Sequence, residues 1–176
     1  PYLLYTDDDT LIPAQGIAHQ ISMMKSLPGY GAISLLFDRQ CKLHHIKNET
    51  LYYTEPEING GIVDVDLMGS ASMMVRREVY SSCNLDPEYV VGLGDYDFCM
   101  QLKKAGWKLG ILQSADGIVI NKGGGPAEYK EARYNRNLIN NSIERFKEKW
   151  SLDLFSEKAI PLKPLFKKLS NISNDN

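Results

Sequence analysis

The sequence has few cysteines, no long apolar run and no basic leader. Its 176 residues include 3 cysteines, which are widely spaced and form no CxxC pair, so the pattern predicts neither a disulfide framework nor a zinc site. No stretch approaches the roughly 18 apolar residues that a membrane-spanning helix needs. The first nine residues contain three acids where a signal peptide would have basic residues. We expect a domain without a transmembrane segment, in the cytoplasm or peripheral to a membrane.

The chain also lacks a strong excess of either charge. It has 20 basic and 22 acidic side chains, a formal net charge of −2 and a pI near 6.0. Domains dedicated to nucleic acid usually have a basic face and a pI above about 9, so nucleic acid is not expected as a partner. The length suits a single domain of about 100–200 residues. We expect a folded domain in residues 1–150 and a helical or frayed tail in residues 151–176.

Short apolar runs alternate with segments of helical spacing, which predicts an α/β fold. The first run, directly before an acidic turn, is expected to be a buried strand. The segment 38–59 has no clear period and predicts a hairpin or a long loop, and 123–126 predicts a flexible glycine loop. Strands are expected at 2–6, 32–37, 61–68, 109–112 and 117–120, a strand or a helix entry at 72–75, and helices at 14–26, 76–80, 95–105 and 127–150.

Three consecutive acids, Asp7, Asp8 and Asp9, follow the first predicted strand. Adjacent carboxylates repel one another and are stabilised mainly by a cation or by hydrogen-bond donors. Mg²⁺ or Mn²⁺ would suit such oxygen ligands and could also bind the phosphates of a nucleotide. A solvated acidic turn, with Asp9 capping the next helix, explains the same residues.

A second acidic pair, Asp95 and Asp97, lies at the start of a predicted helix, after the glycine-spaced segment 91–94. Carboxylates in a first helical turn complement the macrodipole, and Asp95 could cap the helix. A carboxylate held there can also act as a general base. The sequence leaves both interpretations open.

Smaller signals surround these acids. The step Gly69-Ser70 indicates close approach of either a ligand or a packed element. The pair His44-His45 lies in a polar segment and is interpreted as surface residues rather than ligands. Cys99 is expected to be a small core residue, because it lies beside the apolar face of its helix.

Taken in order, these features resemble the second half of an inverting glycosyltransferase of family 2, which has the GT-A fold. The family's Asp-x-Asp motif with its following proline resembles residues 7–13, and its small-residue step and Arg-Glu helix start resemble residues 65–79. Its signature around the base resembles residues 85–107, and residues 145–150 resemble the Phe-x-x-Lys-Trp ending of some members. The resemblance covers residues 4–150 and implies a mixed sheet flanked by helices.

The resemblance implies a role for each matching residue. Asp7 and Asp9 would bind the ribose and the diphosphate-bound Mn²⁺ or Mg²⁺ of a nucleotide-sugar donor, with Asp9 the direct ligand. Asp95 would deprotonate the acceptor hydroxyl of a glycan, a lipid-linked or a small-molecule acceptor. The remaining assignments are Gly69 and Ser70 beside the transferred sugar, Gly94 and Asp97 on the acceptor side, and Asn121 as a weak metal ligand.

Three departures from the family are visible. Gly94 replaces the usual glutamate before the base, and Asn121 stands where the family often has a histidine. The N-terminal βαβ units that build the nucleotide-base pocket are not represented. The chain is therefore expected to be a fragment, a domain completed by a partner or a second copy, or a shortened relative. The alternatives to a transferase are a non-catalytic carbohydrate- or metal-binding relative and an enzyme that transfers phosphate or nucleotidyl groups.

Overall fold

The computed structural model describes residues 1–36, 42–115, 119–121 and 126–153. The expectations for the tail 151–176 beyond residue 153, for most of the loop 123–126 and for most of the strand 117–120 lie outside these residues. The strands are β1 (Tyr2–Leu4), β2 (Thr10–Leu11), β3 (Tyr30–Leu35), β4 (Leu43–Lys47), β5 (Thr50–Thr54), β6 (Ile62–Val65), β7 (Met74–Arg76), β8 (Lys108–Leu112) and β9 (Ile120–Asn121). The α-helices are α1 (Ala14–Ser26), α2 (Gly94–Lys104), α3 (Ala127–Arg133) and α4 (Arg136–Trp150).

A mixed five-stranded sheet forms the centre of this α/β fold, in the order β1-β7-β3-β8-β6. β3 and β8 run parallel, and the other three pairings are antiparallel. All six residues of β3 are buried, as is typical of a central strand covered on both faces. The predicted mixed sheet is therefore confirmed.

The first strand is less buried than we expected. β1 pairs only with β7 among the described strands and lies at the end of the sheet order. Its middle residue, Leu3, remains 44% exposed. An apolar run indicates a strand, but the burial of that strand depends on how many other strands pair with it.

Helix α1 has the predicted bounds and begins directly after Pro13, whose fixed φ suits a helix entrance. The helix packs against β3 through one face, and Gln20 and Met24 on that face are completely buried. Helix α2 begins one residue before the predicted start and ends one residue before the predicted end. Cys99 is fully buried in α2, which confirms it as a core residue.

Two other helix predictions were right only in part. The segment Arg77–Ser81 forms a 3₁₀ helix, not an α-helix, and Ser70–Ser72 forms another before β7. The predicted helix at 127–150 is divided into α3 and α4. Asn135 caps α4, since its side chain accepts hydrogen bonds from the backbone N–H groups of Asn137 and Leu138.

The polar segment from 42 to 59 contains a β-hairpin. Of the two predicted alternatives, a hairpin or a long loop, the hairpin is therefore confirmed. β4 and β5 pair antiparallel with Lys47 opposite Thr50. The two residues between them, Asn48 and Glu49, both have positive φ, of 50° and 61°. Two such residues make a turn whose twist matches that of the strands, and only the asparagine has a clear preference for it. The glutamate explains why the sequence signal was weak.

None of the helices in the described ranges is both long and apolar enough to cross a membrane.

Candidate functional site

A cleft of about 780 Å³ opens beside the main sheet. Its walls come from the turn after β1, the 3₁₀ helix 70–72, the β4–β5 hairpin and the turn that leads into α2. Residues as far apart in the chain as Tyr5 and Arg133 meet here. Among the polar and aromatic residues that line it are Tyr5, Asp7, His44, Ser70, Tyr89, Asp95 and Tyr96.

Asp95 is half-buried in the first turn of α2 and lines this cleft. The pKa of its carboxyl is raised to about 6, chiefly because burial penalises the charged form, and also because of the charge of Asp7. Backbone N–H groups of Tyr96 and Ser70 donate hydrogen bonds to the carboxylate and oppose this rise. The result is a fixed carboxylate whose pKa is close to neutral pH, as a general base requires.

The backbone before α2 brings Asp95 to the cleft. Gly92 and Leu93 have φ values of 71° and 61°, and Leu93 is the N-cap residue without a side-chain cap. A non-glycine residue in this region is uncommon and strained. Asp95 follows inside the first turn, so of the two interpretations left open by the sequence, the helix cap was wrong.

Gly69 and Ser70 lie between the two cleft carboxylates. The Ser70 hydroxyl donates a 3.5 Å hydrogen bond to Oδ1 of Asp7, and its backbone N–H donates to Asp95. A Cβ at position 69 would lie 3.6 Å from Oδ2 of Asp95. The glycine therefore leaves open space directly over the carboxylate, where a side chain would cover it.

The acidic triplet is divided in space. Asp7 lines the cleft, whereas neither Asp8 nor Asp9 is among its lining residues. The short pair β2–β9 sets Asn121 opposite Thr10, so the backbone of Asn121 lies next to that of Asp9 although 112 positions separate them. The resemblance implies Asp9 as the direct metal ligand, whereas Asp7 is the acid of this triplet that lines the cleft together with Asp95.

Asp97 does not belong to the cleft. It is completely buried and does not line the cavity, whereas Gly94 does. Its carboxylate accepts hydrogen bonds from Trp150 Nε1 at 2.8 Å, from Lys149 Nζ at 3.0 Å and from Gln101 Nε2 at 2.7 Å. Asp97 therefore anchors helix α4 to the first turn of α2.

The donor set of the cleft suits a hard divalent cation that shares its ligands with a substrate. Asp7 offers a carboxylate, the Ser70 hydroxyl lies beside it, and Asp9 is two residues away. Within the described ranges, no group of three or more His, Cys, Asp or Glu residues could hold a metal by itself. Mg²⁺ commonly uses only one or two carboxylates and completes its shell with water and phosphate oxygens. The residues fit that arrangement.

Sequence reasoning missed two residues of the cleft. His44, interpreted as a surface residue, lines the cavity, and its Nδ1 lies 2.7 Å from the hydroxyl of Tyr96. Tyr96 directly follows Asp95 in the chain. The alternation of β4 could have separated the two histidines, because neighbouring residues of a strand face opposite sides. The position of the hairpin over α2 had no local signal.

A scan against models of known protein families finds no match to this chain, and a search of curated proteins finds none either. Function is therefore inferred from the geometry of the cleft.

Proposed function

We propose that this chain is a glycosyltransferase domain that transfers a sugar from a nucleotide-diphosphate donor to an acceptor hydroxyl with inversion. The observation that supports the proposal most directly is Asp95. It is a carboxylate held by backbone donors at the edge of an open cleft, with a pKa of about 6 and a second carboxylate, Asp7, nearby. Two carboxylates with separate tasks in one cleft suit general base catalysis next to a charged leaving group.

In the proposed reaction, Asp95 removes the proton from the acceptor hydroxyl. The acceptor oxygen attacks the anomeric carbon from the face opposite the diphosphate. A new C–O bond forms while the bond to the diphosphate breaks, and the electron pair leaves with the nucleotide diphosphate. The open space at Gly69 gives the acceptor oxygen access to the carboxylate.

Asp7, together with Asp9, would hold Mn²⁺ or Mg²⁺ at the diphosphate. The cation would supply positive charge against the charge that develops on the departing phosphate. Through such a cation, an anionic donor could bind to a protein whose net charge is −2.

The donor site is tested by calorimetry with UDP and GDP, each with and without Mn²⁺. We expect binding that requires the metal and that Asp7→Asn weakens by at least about tenfold, since a lost charged ligand costs more than about 1.4 kcal/mol. Asp8→Asn is the matched control, because the neighbouring Asp8 is exposed and outside the cleft. Failure of both nucleotides to bind would contradict an intact donor site.

The base is tested by nucleotide-diphosphate release from a panel of UDP- and GDP-sugars with mixed glycosides as acceptors. Asp95→Asn should abolish release while metal-dependent UDP or GDP binding remains. Glu88→Gln, which removes one exposed charge from the turn before α2, should behave like the wild type. An Asp95→Asn variant with full activity would remove Asp95 from this role.

A further inference from the structure

The two adjacent histidines of β4 have different surroundings. His45 Nε2 lies 2.9 Å from Thr54 Oγ1, and its ring stacks on Tyr52 with the centroids 5.2 Å apart. His44 lines the cleft, and its ring packs edge-on against Tyr53 at 4.8 Å. Of this pair, only His44 is in a position to meet a ligand of the cleft.

His44 has one ring nitrogen in use. Nδ1 is paired with the Tyr96 hydroxyl at 2.7 Å, which is the one side-chain hydrogen bond of His44 in the part of the chain that the structure describes. Either this hydroxyl donates to Nδ1 or Nδ1 donates to it, and the tautomer at Nε2 follows from that choice. Nε2 of this cleft residue therefore makes no hydrogen bond to the described residues and can bind a ligand.

The imidazole is neutral near pH 7. Burial lowers the pKa of His44 to about 4, and the neighbouring His45 adds to this effect. A neutral imidazole gives one donor or one acceptor and no positive charge. Such a group suits a hydroxyl, which can serve as either partner, better than it suits a phosphate or a carboxylate.

The backbone holds His44 firmly. Its carbonyl oxygen accepts from the backbone N–H of Asp66 at 2.8 Å, and the Asp66 carboxylate accepts from the N–H of Ile46 at 2.5 Å. These bonds tie β4 to the segment after β6 at His44 itself and at Ile46, two residues further along the strand. A polar group fixed in this way loses little entropy when it binds a ligand.

We propose that His44 and Tyr96 form an acceptor subsite for a sugar or another polyol, in which they bind a hydroxyl adjacent to the one that Asp95 deprotonates. The subsite rests on the proposed function. The subsite is placed beside the base because His44, Tyr96 and Asp95 all line the same cleft. Tyr5 and Tyr89 add aromatic surface to the same cavity, which can pack against the apolar faces of a sugar ring. An acceptor with a single isolated hydroxyl would leave His44 Nε2 unpaired.

Two substitutions separate binding from packing. His44→Asn places a polar atom near the position of Nδ1 and can keep the bond to Tyr96, but it has nothing at Nε2. His44→Gln reaches towards the position of Nε2. His45→Gln is the matched control on the other side of the same strand, and Tyr96→Phe removes only the hydroxyl.

The experiment measures binding of the methyl glycosides of glucose, galactose, mannose and N-acetylglucosamine by saturation-transfer NMR, with UDP and Mn²⁺ present. We expect at least one glycoside to bind, and His44→Asn and Tyr96→Phe to weaken it by about three- to tenfold, the effect of one neutral hydrogen bond. His44→Gln should lose less and His45→Gln nothing. A monodeoxy glycoside that lacks the contacted hydroxyl should bind wild type and His44→Asn equally.

The outcomes keep the two proposals apart. Binding of a glycoside without turnover of any UDP- or GDP-sugar would support the subsite and contradict the transferase. Transfer in which His44→Asn leaves the acceptor KM unchanged would support the transferase and overturn the subsite. No binding of any of the four glycosides to the wild-type protein would overturn the subsite as well.

Discussion

At the scale of single residues, the most informative group is the Asp95 carboxyl. Its pKa of about 6, against an ordinary value of 3.8, means that the folded protein binds this proton more tightly than the unfolded chain does. Stability therefore falls as the pH rises from about 4 to about 6, and the full cost is present at pH 7. A site that maintains a base near neutral pH does so at the expense of stability.

Asp95→Asn should therefore be more stable than the wild type at pH 7.5. We expect an increase of about 1–2 kcal/mol in the free energy of unfolding. This is less than the raised pKa alone implies at about 1.4 kcal/mol per pKa unit, because the asparagine amide has one acceptor oxygen fewer than the carboxylate. The gain should disappear at pH 4, where the wild-type carboxyl is protonated. Urea denaturation at both pH values measures this, with the exposed Asp8→Asn as the control. A variant less stable than the wild type at pH 7.5 would indicate that the carboxylate supports the helix start instead.

At the scale of elements, one arginine caps the C-terminal end of helix α1. Nη2 of Arg76 donates to the carbonyl oxygens of Met24 and Leu27, the latter at 3.0 Å, and Nε donates to Tyr30 at 2.7 Å. The last carbonyls of a helix have no partners within it, and a cation at this end also complements the dipole. The side chain thereby ties α1 and the start of β3 to β7.

Arg76→Met should lower the free energy of unfolding by about 2–4 kcal/mol, because several charge-assisted hydrogen bonds are lost and partly buried carbonyls stay unpaired. Arg77→Met is the matched control, since this neighbouring arginine is exposed and no side-chain bond is recorded for it in the described structure. We expect the control to change stability by less than about 0.5 kcal/mol. Equal losses in the two variants, measured by chemical denaturation, would show that position 76 acts through general charge and not through these bonds.

At the scale of the whole molecule, helix α4 is held to the body by charged groups. Lys149 bonds to the buried Asp97 and also to Asp86 at 3.3 Å, and Arg145 bonds to Asp86 at 2.8 Å. These contacts join helix α4 to the first turn of α2 and to the turn that lines the cleft. Asp97 thus links the site to the rest of the molecule, although it does not face the cleft.

Lys149→Met should destabilise the protein by about 2–3 kcal/mol, because the Asp97 carboxylate stays buried without its cation. Lys147→Met removes a more exposed pair with Asp153 at 3.4 Å and should cost less than about 0.5 kcal/mol. Thermal unfolding followed by circular dichroism compares the two variants. Near-equal melting temperatures would contradict an anchoring role for Lys149.

Local sequence patterns predicted where an element lies better than they predicted which elements pack against it. The bounds of α1 were right because apolar spacing and the flanking Pro13 and Leu27-Pro28-Gly29 act within one segment of chain. The helix predicted at 76–80 forms at 77–81 as a 3₁₀ helix, in which Val79 is completely buried. The break at Asn135 depends on a cap that competes with a continuous helix.

The sequence by itself determined the α/β class, the positions of most strands and helices, and the presence of carboxylates after β1 and at the start of α2. These depend on spacing and on the preferences of neighbouring residues. The resemblance assigns Asp7 and Asp95 to one site, and in the structure they line one cleft. The tertiary structure alone decided that Asp97 anchors α4 and that His44 meets Tyr96 across 52 positions. The physical reason is that strand order and burial are set by contacts between distant segments, and only these contacts fix which polar groups face each other.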